Sequence, residues 1–233
     1  MSTSYFILGS TGLCGSNFLR TAIKSPQVSE VLTLSRRLPQ LTSNKLLATV
    51  ESDTSKWPEI IEHLNTKSPH QQATIFSAFG TYMFRVHSRE KFVKIDHDIN
   101  IDAFKAAKES GKFDTAVLVS ALEADPDSNL LYFSTKGKIE RDLINLKFRR
   151  TIILRPGAIL GKREVPKPFI NNMSVLLGYV FRWFGLQNGL FPIYGEEVAN
   201  IGYYLSQKPI KKDGEVIIVG PDELLKIVKE IKL

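Results

Sequence analysis

Cysteine and long apolar runs are scarce in this 233-residue chain, and their scarcity excludes several classes of protein. The single cysteine, Cys14, excludes a disulfide framework and a zinc site built from cysteines. The four histidines show no metal-ligand spacing with cysteine or carboxylate residues, and we predict no metal site. The longest apolar-rich stretch, residues 173–194, is interrupted by Arg182 and three glycines. No run therefore reaches the roughly 18 residues of a membrane-spanning helix.

Basic residues outnumber acidic ones by 31 to 24, which gives a formal net charge of +7. Hydrophobic residues make up 43% and charged residues 24% of the chain, which is ordinary for a protein with a buried core and excludes global disorder. The densest basic stretch, residues 136–150, also contains acids and lacks regularly spaced aromatics, which indicates a solvated surface. We therefore expect no nucleic-acid partner, whereas attraction to an anionic cofactor or membrane surface stays open.

Short apolar runs alternate with helical patterns over the first two thirds of the chain. The predicted strands are residues 5–8, 31–35, 46–50, 73–78, 116–120 and 151–154. The predicted helices between them are residues 13–24, 57–64, 89–110 and 130–146. Because short strands separated by helices are typical of βαβ units, the pattern predicts a doubly wound α/β fold around a buried parallel sheet.

Three glycines follow the first predicted strand and open the first predicted helix, with the spacing G-x-x-G-x-x-G. Glycines at such a place allow a tight turn and a close approach of the backbone to a pyrophosphate, and the helix N-terminus supplies N–H donors. The loop therefore predicts an NAD(P)-binding Rossmann fold, with an ordinary tight turn as the alternative. The predicted cofactor contacts are Gly9, Ser10, Thr11, Gly12, Leu13 and Gly15.

The residues that end the second predicted strand, Ser35, Arg36 and Arg37, indicate which dinucleotide the loop binds. NAD sites often carry a carboxylate here for the ribose hydroxyls, and a carboxylate would repel a 2′-phosphate. Arginine can clamp that phosphate and serine can donate to it, so the sequence favours NADP(H), with a pair of surface arginines as the alternative. Asp53, after the third strand, is expected either to receive the adenine amino group or to be a solvated loop residue.

Tyr132 and Lys136 form a Y-x-x-x-K pattern on the predicted helix 130–146, and this spacing places both side chains on one face. A neighbouring ammonium favours tyrosinate, so Lys136 is expected to lower the pKa of the tyrosine and could also hold the nicotinamide ribose. Ser120, at the end of the fifth strand, could hydrogen-bond a substrate carbonyl or alcohol. These three residues are the predicted catalytic group of an oxidoreductase.

The last third of the chain has a different pattern. It predicts helices at residues 169–184, 198–205 and 222–232, and a strand at 215–219. We therefore predict a Rossmann domain over residues 1–165 and a small C-terminal α/β lobe over 166–233. The lobe is expected to complete the fold and the substrate pocket within a single structural unit. The apolar stretch 175–191 has three open interpretations: lobe core, pocket wall, or a membrane- or partner-facing patch.

These motifs resemble those of the short-chain dehydrogenase/reductase superfamily, in its extended or atypical branch. The matching positions are Gly9-x-x-Gly12-x-x-Gly15, Ser120, Tyr132-x-x-x-Lys136-Gly137 and Arg155-Pro156-Gly157. The chain is more closely similar to the HIV Tat-interacting-protein group and its fungal mitochondrial relatives, the "found in mitochondrial proteome" proteins. The segments that carry this closer resemblance are residues 6–12, 131–140, 146–148 and 155–164, and the coverage runs from residue 5 to about residue 165.

The resemblance implies an NADP(H)-bound Rossmann domain in which Tyr132 is the acid/base and Lys136 its partner. It places further cofactor contacts after the fourth strand and after the sixth, at Ser77, Ala78, Gly80, Pro156, Gly157 and Ala158. For the fungal relatives it implies peripheral attachment to the cytosolic face of the mitochondrial outer membrane, and otherwise a cytoplasmic location. A strand that begins at Tyr5 leaves no room for a cleavable presequence, which agrees with that expectation.

Two positions depart from the family pattern. Ser120 is followed by Ala121, where members often carry a pair of hydroxyl residues and the later one can be catalytic. The position that often holds a structural asparagine is Asp96 here, and we interpret Asp96-His97-Asp98 as helix surface. Nothing in the short C-terminal lobe specifies a substrate.

Two functions therefore stay open. The first is an oxidoreductase that moves a hydride between the nicotinamide of NADP(H) and a small carbonyl or alcohol substrate. The second is a non-catalytic NADP(H)-binding module that senses redox state or binds a protein partner at the mitochondrial surface. The intact Tyr132 and Lys136 pair favours the first, and the departures from the family pattern keep the second open.

Overall fold

A parallel β-sheet with helices on both faces forms the centre of the molecule. The computed structural model describes residues 3–67, 73–81, 86–161 and 191–231. The strands are β1 (Thr3–Leu8), β2 (Val28–Ser35), β3 (Leu46–Val50), β4 (Ala73–Ser77), β5 (Phe113–Val119), β6 (Arg150–Leu154), β7 (Ile159–Leu160), β8 (Ile193–Tyr194) and β9 (Glu215–Val219). The main sheet has seven strands in the order β3-β2-β1-β4-β5-β6-β9, and β7 pairs with β8 separately. The predicted doubly wound α/β fold is confirmed.

The helices lie where the hydrophobic periodicity predicts them, with one interruption. They are α1 (Leu13–Lys24), α2 (Trp57–Glu62), α3 (Arg89–Val93), α4 (Ile99–Glu109), α5 (Leu131–Asn145), α6 (Gly195–Gln207) and α7 (Pro221–Ile231). A π-helical segment, Lys94–Asp98, separates α3 from α4, so the long helix predicted over residues 89–110 is not continuous. The helix predicted over 169–184 and nearly all of the apolar stretch 175–191 lie outside the described residues, as does the pocket wall predicted there.

Strand β1 shows why the sheet is buried on both faces. Its residues Tyr5, Phe6, Ile7 and Leu8 are all fully buried. Successive side chains of a strand point to opposite faces, so Tyr5 and Ile7 join the core formed with α1, α6 and α7. Phe6 and Leu8 join the second core, formed with α2, α4 and α5. An uninterrupted apolar run of this kind is what a parallel sheet between two helical layers requires.

The strand order places a crevice at the carboxyl end of the sheet. From β1 the chain moves outward through β2 to β3, and it then crosses back to β4 on the other side of β1. At such a reversal the loops that follow the two central strands diverge and leave an opening, which is where α/β sheets bind ligands. The residues that border this opening are those that follow Leu8 and Ser77.

The C-terminal residues complete the main sheet, because β9 pairs with β6 as its seventh strand. Arg150, which is 1% exposed, fastens this region from the start of β6. Its guanidinium donates to a carboxylate oxygen of Glu215 at 2.9 Å and to the carbonyl oxygens of Leu205 and Lys208 at 3.2 and 2.6 Å. One buried cation therefore ties β9 and the end of α6 to the sheet.

Candidate functional site

The glycine loop lies at the crevice, between β1 and α1. Gly9 has a φ of +78°, in the left-handed region, and a Cβ on it would lie 2.8 Å from the backbone of Ala78. A Cβ on Gly15 would lie 2.1 Å from the carbonyl oxygen of Gly9. The Gly12 amide closes the turn by donating to that same carbonyl at 2.8 Å. Close backbone packing therefore requires glycine at positions 9 and 15.

The start of α1 offers hydrogen-bonding capacity to a ligand. Its N-cap residue, Gly12, has no side chain to cap the first turn, and that turn contains no acidic residue. Ser10 is fully buried, and its hydroxyl has no hydrogen-bond partner among the described residues. Because buried hydroxyls are normally paired, and helix N-termini attract anions, both observations fit a dinucleotide phosphate at this loop. Of the other predicted contacts in the loop, Leu13 is buried and Thr11 is half-buried.

At the end of β2 the Ser35 hydroxyl is already hydrogen-bonded, whereas the side chains of Arg36 and Arg37 are exposed. The Ser35 hydroxyl donates to the carbonyl oxygen of Arg37 at 2.6 Å, so it shapes the loop and would have to turn to reach a phosphate. Arg36 and Arg37 are exposed, and neither forms an ion pair with a residue in the described ranges. The Arg36 guanidinium lies 5.8 Å from the centre of the Phe79 ring, after β4, and this contact directs it toward the crevice.

Asp53 has a local structural role in the cofactor-free chain. Its carboxylate accepts hydrogen bonds from the hydroxyl and the amide of Ser55 at 2.7 and 3.0 Å, which caps the short 3₁₀ turn Thr54–Lys56. These bonds, the hydroxyl one first, hold the pKa of Asp53 below its usual value. The carboxylate therefore remains ionised at neutral pH, and its predicted contact with adenine stays a prediction.

The predicted contacts after β4 pack against neighbouring backbone and side chains. Ser77 is fully buried and donates its hydroxyl proton to the side-chain oxygen of Asn100 at 2.6 Å. Ala78 is the residue that the Gly9 backbone approaches. At Gly80 a Cβ would lie 2.9 Å from Oδ1 of Asp96, so the absence of a side chain there makes room for a carboxylate.

Tyr132 and Lys136 stand one turn apart on α5, and the lysine is already paired. Its Nζ lies 2.8 Å from Oδ1 of Asp96, and the two side chains are 9% and 1% exposed. The second oxygen of Asp96 accepts a hydrogen bond from the amide of Thr81 at 2.7 Å. Asp96 therefore connects the tyrosine–lysine pair to the loop after β4, at the crevice. The interpretation of Asp96 as helix surface is wrong, because the π-helical segment turns this residue inward.

The direction of the Tyr132 pKa is opposite to the expectation from sequence. Burial, in part under the ring of Phe92 with centroids 6.0 Å apart, raises the pKa of the phenol above its usual value of 10.0. Lys136 acts to lower the pKa, as predicted, while the negative charge of Asp96 acts to raise it. Desolvation disfavours the charged tyrosinate more than the partly compensated ammonium favours it. Tyr132 is therefore a neutral phenol at neutral pH.

Ser120 is held by a buried carboxylate rather than left open toward the crevice. Its hydroxyl donates to Glu140, which lies on α5 one turn beyond Lys136. Arg155 binds the same carboxylate, with its Nε 3.1 and 3.0 Å from the two oxygens and an Nη 2.5 Å from one of them. In this arrangement the hydroxyl proton of Ser120 is donated to Glu140 and is not available to a substrate. Its predicted role toward a substrate oxygen requires that bond to break.

The loop after β6 lies beside Ser120. The amide of Leu122 donates to the carbonyl oxygen of Pro156 at 2.9 Å, and the amide of Ile193 donates to that of Ala158 at 3.0 Å. Pro156 is buried, whereas Gly157 and Ala158 are half-buried. The segment predicted to border the nicotinamide is thus fixed between the end of β5 and the small sheet.

Sequence reasoning missed the buried polar partners of the site, which are Asp96, Asn100 and Glu140. Asn100 donates to the carbonyl oxygens of Phe79 and Ile95 at 3.2 and 3.1 Å, so it fastens the π-helical segment to the end of β4. A buried lysine needs a nearby negative charge. If Lys136 is expected to be buried, the sequence therefore predicts a carboxylate partner such as Asp96. No local spacing points to Glu140.

Solved structures with this fold define the class. A short chain dehydrogenase family protein from Francisella tularensis superposes with a TM-score of 0.65 at 14% identity, over 97% of this chain and 100% of that one. The Bordetella bronchiseptica enzyme WbmF in complex with NAD+ gives a TM-score of 0.67 at 15% identity, over 99% and 78%. At these identities the likeness shows the fold alone, which is the Rossmann fold of short-chain dehydrogenases.

Relatives by sequence then define the family. "Protein FMP52, mitochondrial" of Debaryomyces hansenii is 43% identical over 231 residues, which cover 98% of this chain and 100% of the relative. The protein of the same name in Saccharomyces cerevisiae is 41% identical over 227 residues, which cover 95% and 94%. The chain belongs to the FMP52 family. No protein-family model matches it. None of the helices in the described ranges is long and apolar enough to cross a membrane.

Proposed function

We propose that this chain is an NADP(H)-dependent oxidoreductase acting on a small carbonyl or alcohol substrate, with Tyr132 as its proton donor and acceptor. One observation carries the proposal. Asp96 binds both Lys136 and the Thr81 amide, so the tyrosine–lysine pair lies at the carboxyl end of β4. The glycine loop follows the adjacent strand, β1. A dinucleotide on that loop would bring its reactive end toward Tyr132.

The cofactor assignment is supported by unsatisfied groups on the chain itself. The buried Ser10 hydroxyl and the uncapped start of α1 would bind the pyrophosphate. Arg36 and Arg37 would bind a 2′-phosphate, since both are exposed and unpaired among the described residues. The bound NAD+ of WbmF belongs to that enzyme, and NADP(H) is our proposal for this chain.

In the proposed reaction NADPH, held by the glycine loop and by Arg36 and Arg37, would supply the hydride for the carbonyl carbon. Tyr132 gives its phenolic proton to the carbonyl oxygen as the C–O double bond becomes a single bond, and the resulting tyrosinate takes a proton back from solvent. Lys136 stabilises the tyrosinate, and Phe92 limits the access of water. Ser120 would polarise the carbonyl only after it leaves Glu140.

A carbonyl panel with NADPH tests the proposal. Tyr132→Phe removes the proton donor and is expected to lower kcat/KM at least about 100-fold, a typical contribution of general acid catalysis. Tyr204→Phe is the matched control, because Tyr204 lies on α6, where its ring faces Lys208 at 4.3 Å. Equal turnover by wild type and Tyr132→Phe would show that Tyr132 is not catalytic.

Cofactor choice is tested separately by fluorescence titration with NADPH and NADH. Replacing both Arg36 and Arg37 by alanine is expected to weaken NADPH binding about tenfold or more, as the loss of charge-assisted hydrogen bonds implies. NADH binding serves as the internal control and should change little. An equal effect on both nucleotides would remove the basis for preferring NADP(H).

One observation keeps a second function in consideration, namely a non-catalytic NADP(H)-binding module that senses redox state or binds a protein partner. The Ser120 hydroxyl is committed to Glu140, and the next residue is Ala121, which offers no hydroxyl. Under this alternative, NADPH binds the wild type without turnover of any carbonyl in the panel.

The mitochondrial names of the relatives lead us to propose a mitochondrial location, with peripheral attachment to the cytosolic face of the outer membrane. Flotation of the purified protein with liposomes, with and without anionic lipid, tests direct lipid contact. Failure to float with either would leave attachment to a protein partner as the remaining route.

A further inference from the structure

The Asp96 carboxylate is fixed beside Lys136, the partner of the proposed proton donor, by contacts on both of its oxygens. One oxygen lies 2.8 Å from Nζ of Lys136, and the other accepts the Thr81 amide at 2.7 Å. Its surroundings leave little space, because a Cβ on Gly80 would lie 2.9 Å from the first oxygen. The carboxylate is 1% exposed, so water screens its charge poorly. Its position therefore affects the electrostatics of the site directly.

Among the described residues, the two charges that act on the pKa of Tyr132 come from two elements. Lys136 contributes a positive charge from α5, and Asp96 contributes a negative charge from the π-helical segment. From α3 comes the buried Phe92 ring, while the charged residues of that helix, Arg89, Glu90 and Lys91, are exposed. Among the other charged side chains on these elements, His97 pairs with Asp98 and Asp142, Arg155 pairs with Glu140, and Lys94 and Lys138 are exposed.

We propose that Asp96 is a positioning residue that offsets part of the charge of Lys136 and so helps to keep Tyr132 protonated until substrate is reduced. An unopposed ammonium beside a buried phenol would favour tyrosinate. With the carboxylate in contact, the ammonium neutralises Asp96 first. The raised pKa of Tyr132, to which burial contributes most and Asp96 also contributes, agrees with this geometry.

The consequence for catalysis rests on the proposed function. Carbonyl reduction needs the phenol, because its proton goes to the oxygen while the hydride from NADPH goes to the carbon. Alcohol oxidation needs the tyrosinate, which accepts the alcohol proton while the hydride leaves the carbon for NADP+. By holding the phenol, Asp96 favours reduction at neutral pH and confines oxidation to alkaline pH.

A tyrosinate titration of the cofactor-free protein tests the proposal without turnover. The absorbance of tyrosinate is followed against pH, and the Tyr132 transition is obtained by subtracting the curve of Tyr132→Phe. Asp96→Asn is expected to move that transition about one pH unit lower, since it removes the negative charge that raises the pKa of the phenol. Asp96→Glu keeps the charge and should restore the wild-type value.

Asp98→Asn is the matched control, because it makes the same chemical change two residues along the same segment at a side chain that is 53% exposed. It should leave the transition unchanged. A transition in Asp96→Asn at or above the wild-type pH would overturn the proposal, as would an equal shift in Asp98→Asn.

A double variant covers the case in which Asp96→Asn does not fold. Asp96→Asn with Lys136→Met removes both charges and leaves neither buried alone. If Asp96 offsets part of the Lys136 charge, the Tyr132 transition stays within about half a pH unit of the wild-type value, because the two lost charges act in opposite directions. If Asp96 only supports the fold, losing Lys136 raises the transition by about one pH unit or more. Absence of turnover in the wild type would reject the proposed function, and the titration would still decide the role of Asp96.

Discussion

The two sides of the crevice differ in whether their polar groups have partners among the described residues. On the side of the glycine loop, the Ser10 hydroxyl is buried without a partner among the described residues, and α1 begins at a residue with no capping side chain. On the side of α5, Lys136 is paired with Asp96, and Arg155 and Ser120 share Glu140. One side keeps its hydrogen-bonding capacity for a ligand, and the other satisfies its charges internally.

This difference shows that the two sides depend on different physical effects. The loop is shaped by backbone atoms in close contact, and its glycines are needed because there is no space for a Cβ. The helix side is shaped by ion pairs between residues far apart in sequence, so removing one partner leaves a charge with poor solvation. Substitutions should therefore act through steric overlap on one side and through unpaired charge on the other.

Gly15→Ala should give the largest effect, because its Cβ would lie 2.1 Å from a backbone oxygen that a side-chain rotation cannot move. We expect a loss of about 3 kcal/mol in the free energy of unfolding and a melting temperature lower by about 8 °C. Thermal unfolding by circular dichroism measures this loss. Gly220→Ala is the control, since nothing lies within 4 Å of a Cβ there. Equal melting temperatures for the two variants would show that the loop has room to adjust.

Glu140→Gln, on the α5 side of the crevice, should give the second largest loss in the free energy of unfolding. It leaves the Arg155 guanidinium without its counter-charge and leaves one carbonyl oxygen as acceptor where Arg155 and Ser120 now share two. Because Arg155 is 31% exposed, we expect about 2 kcal/mol rather than the larger cost of a fully buried pair. Urea unfolding provides the measurement. Asp213→Asn, which breaks an exposed pair with Arg149 at 2.9 Å, should cost clearly less, and equal costs would contradict the assignment.

Ser10→Ala has the smallest expected effect on stability and tests the glycine-loop side of the crevice most directly. The hydroxyl has no partner to lose among the described residues, so the free energy of unfolding should change by less than about 1 kcal/mol. NADPH affinity should fall about fivefold, the value of one hydrogen bond. Ser16→Ala is the control, because its hydroxyl already contacts the Leu13 carbonyl oxygen at 3.4 Å. Unchanged affinity in Ser10→Ala would remove this hydroxyl from the proposed cofactor site.

Much of the fold follows from local patterns in the sequence. The helix Leu13–Lys24 and the strands Leu46–Val50 and Glu215–Val219 have the predicted bounds, since periodicity and turn residues delimit them. Strand β2 begins at Val28, three residues before the prediction, because Glu30 resembles a loop residue yet is buried and bonded to the Ser4 hydroxyl at 2.6 Å. The two-residue strands β7 and β8 are too short to produce any periodicity.

In the candidate site, too, features within one element are predictable from sequence, whereas contacts between elements are not. The glycine loop and the Y-x-x-x-K pair are visible in sequence because each is a local spacing on one element. The pairing of Lys136 with Asp96 joins residues 40 positions apart, and that of Ser120 with Glu140 joins residues 20 apart. Carboxylates on helices usually face water, so their burial appears only when the elements are assembled.

The buried cation at the start of β6 also bears on the order in which the chain folds. Arg150 reaches its three partners only when the end of α6 and strand β9 have both arrived, and Glu215 lies 65 positions away in sequence. Closing so long a loop costs chain entropy before any contact repays it, which makes this edge a late step of folding. The pairing of β9 with β6 therefore also completes the buried ion pair between Arg150 and Glu215.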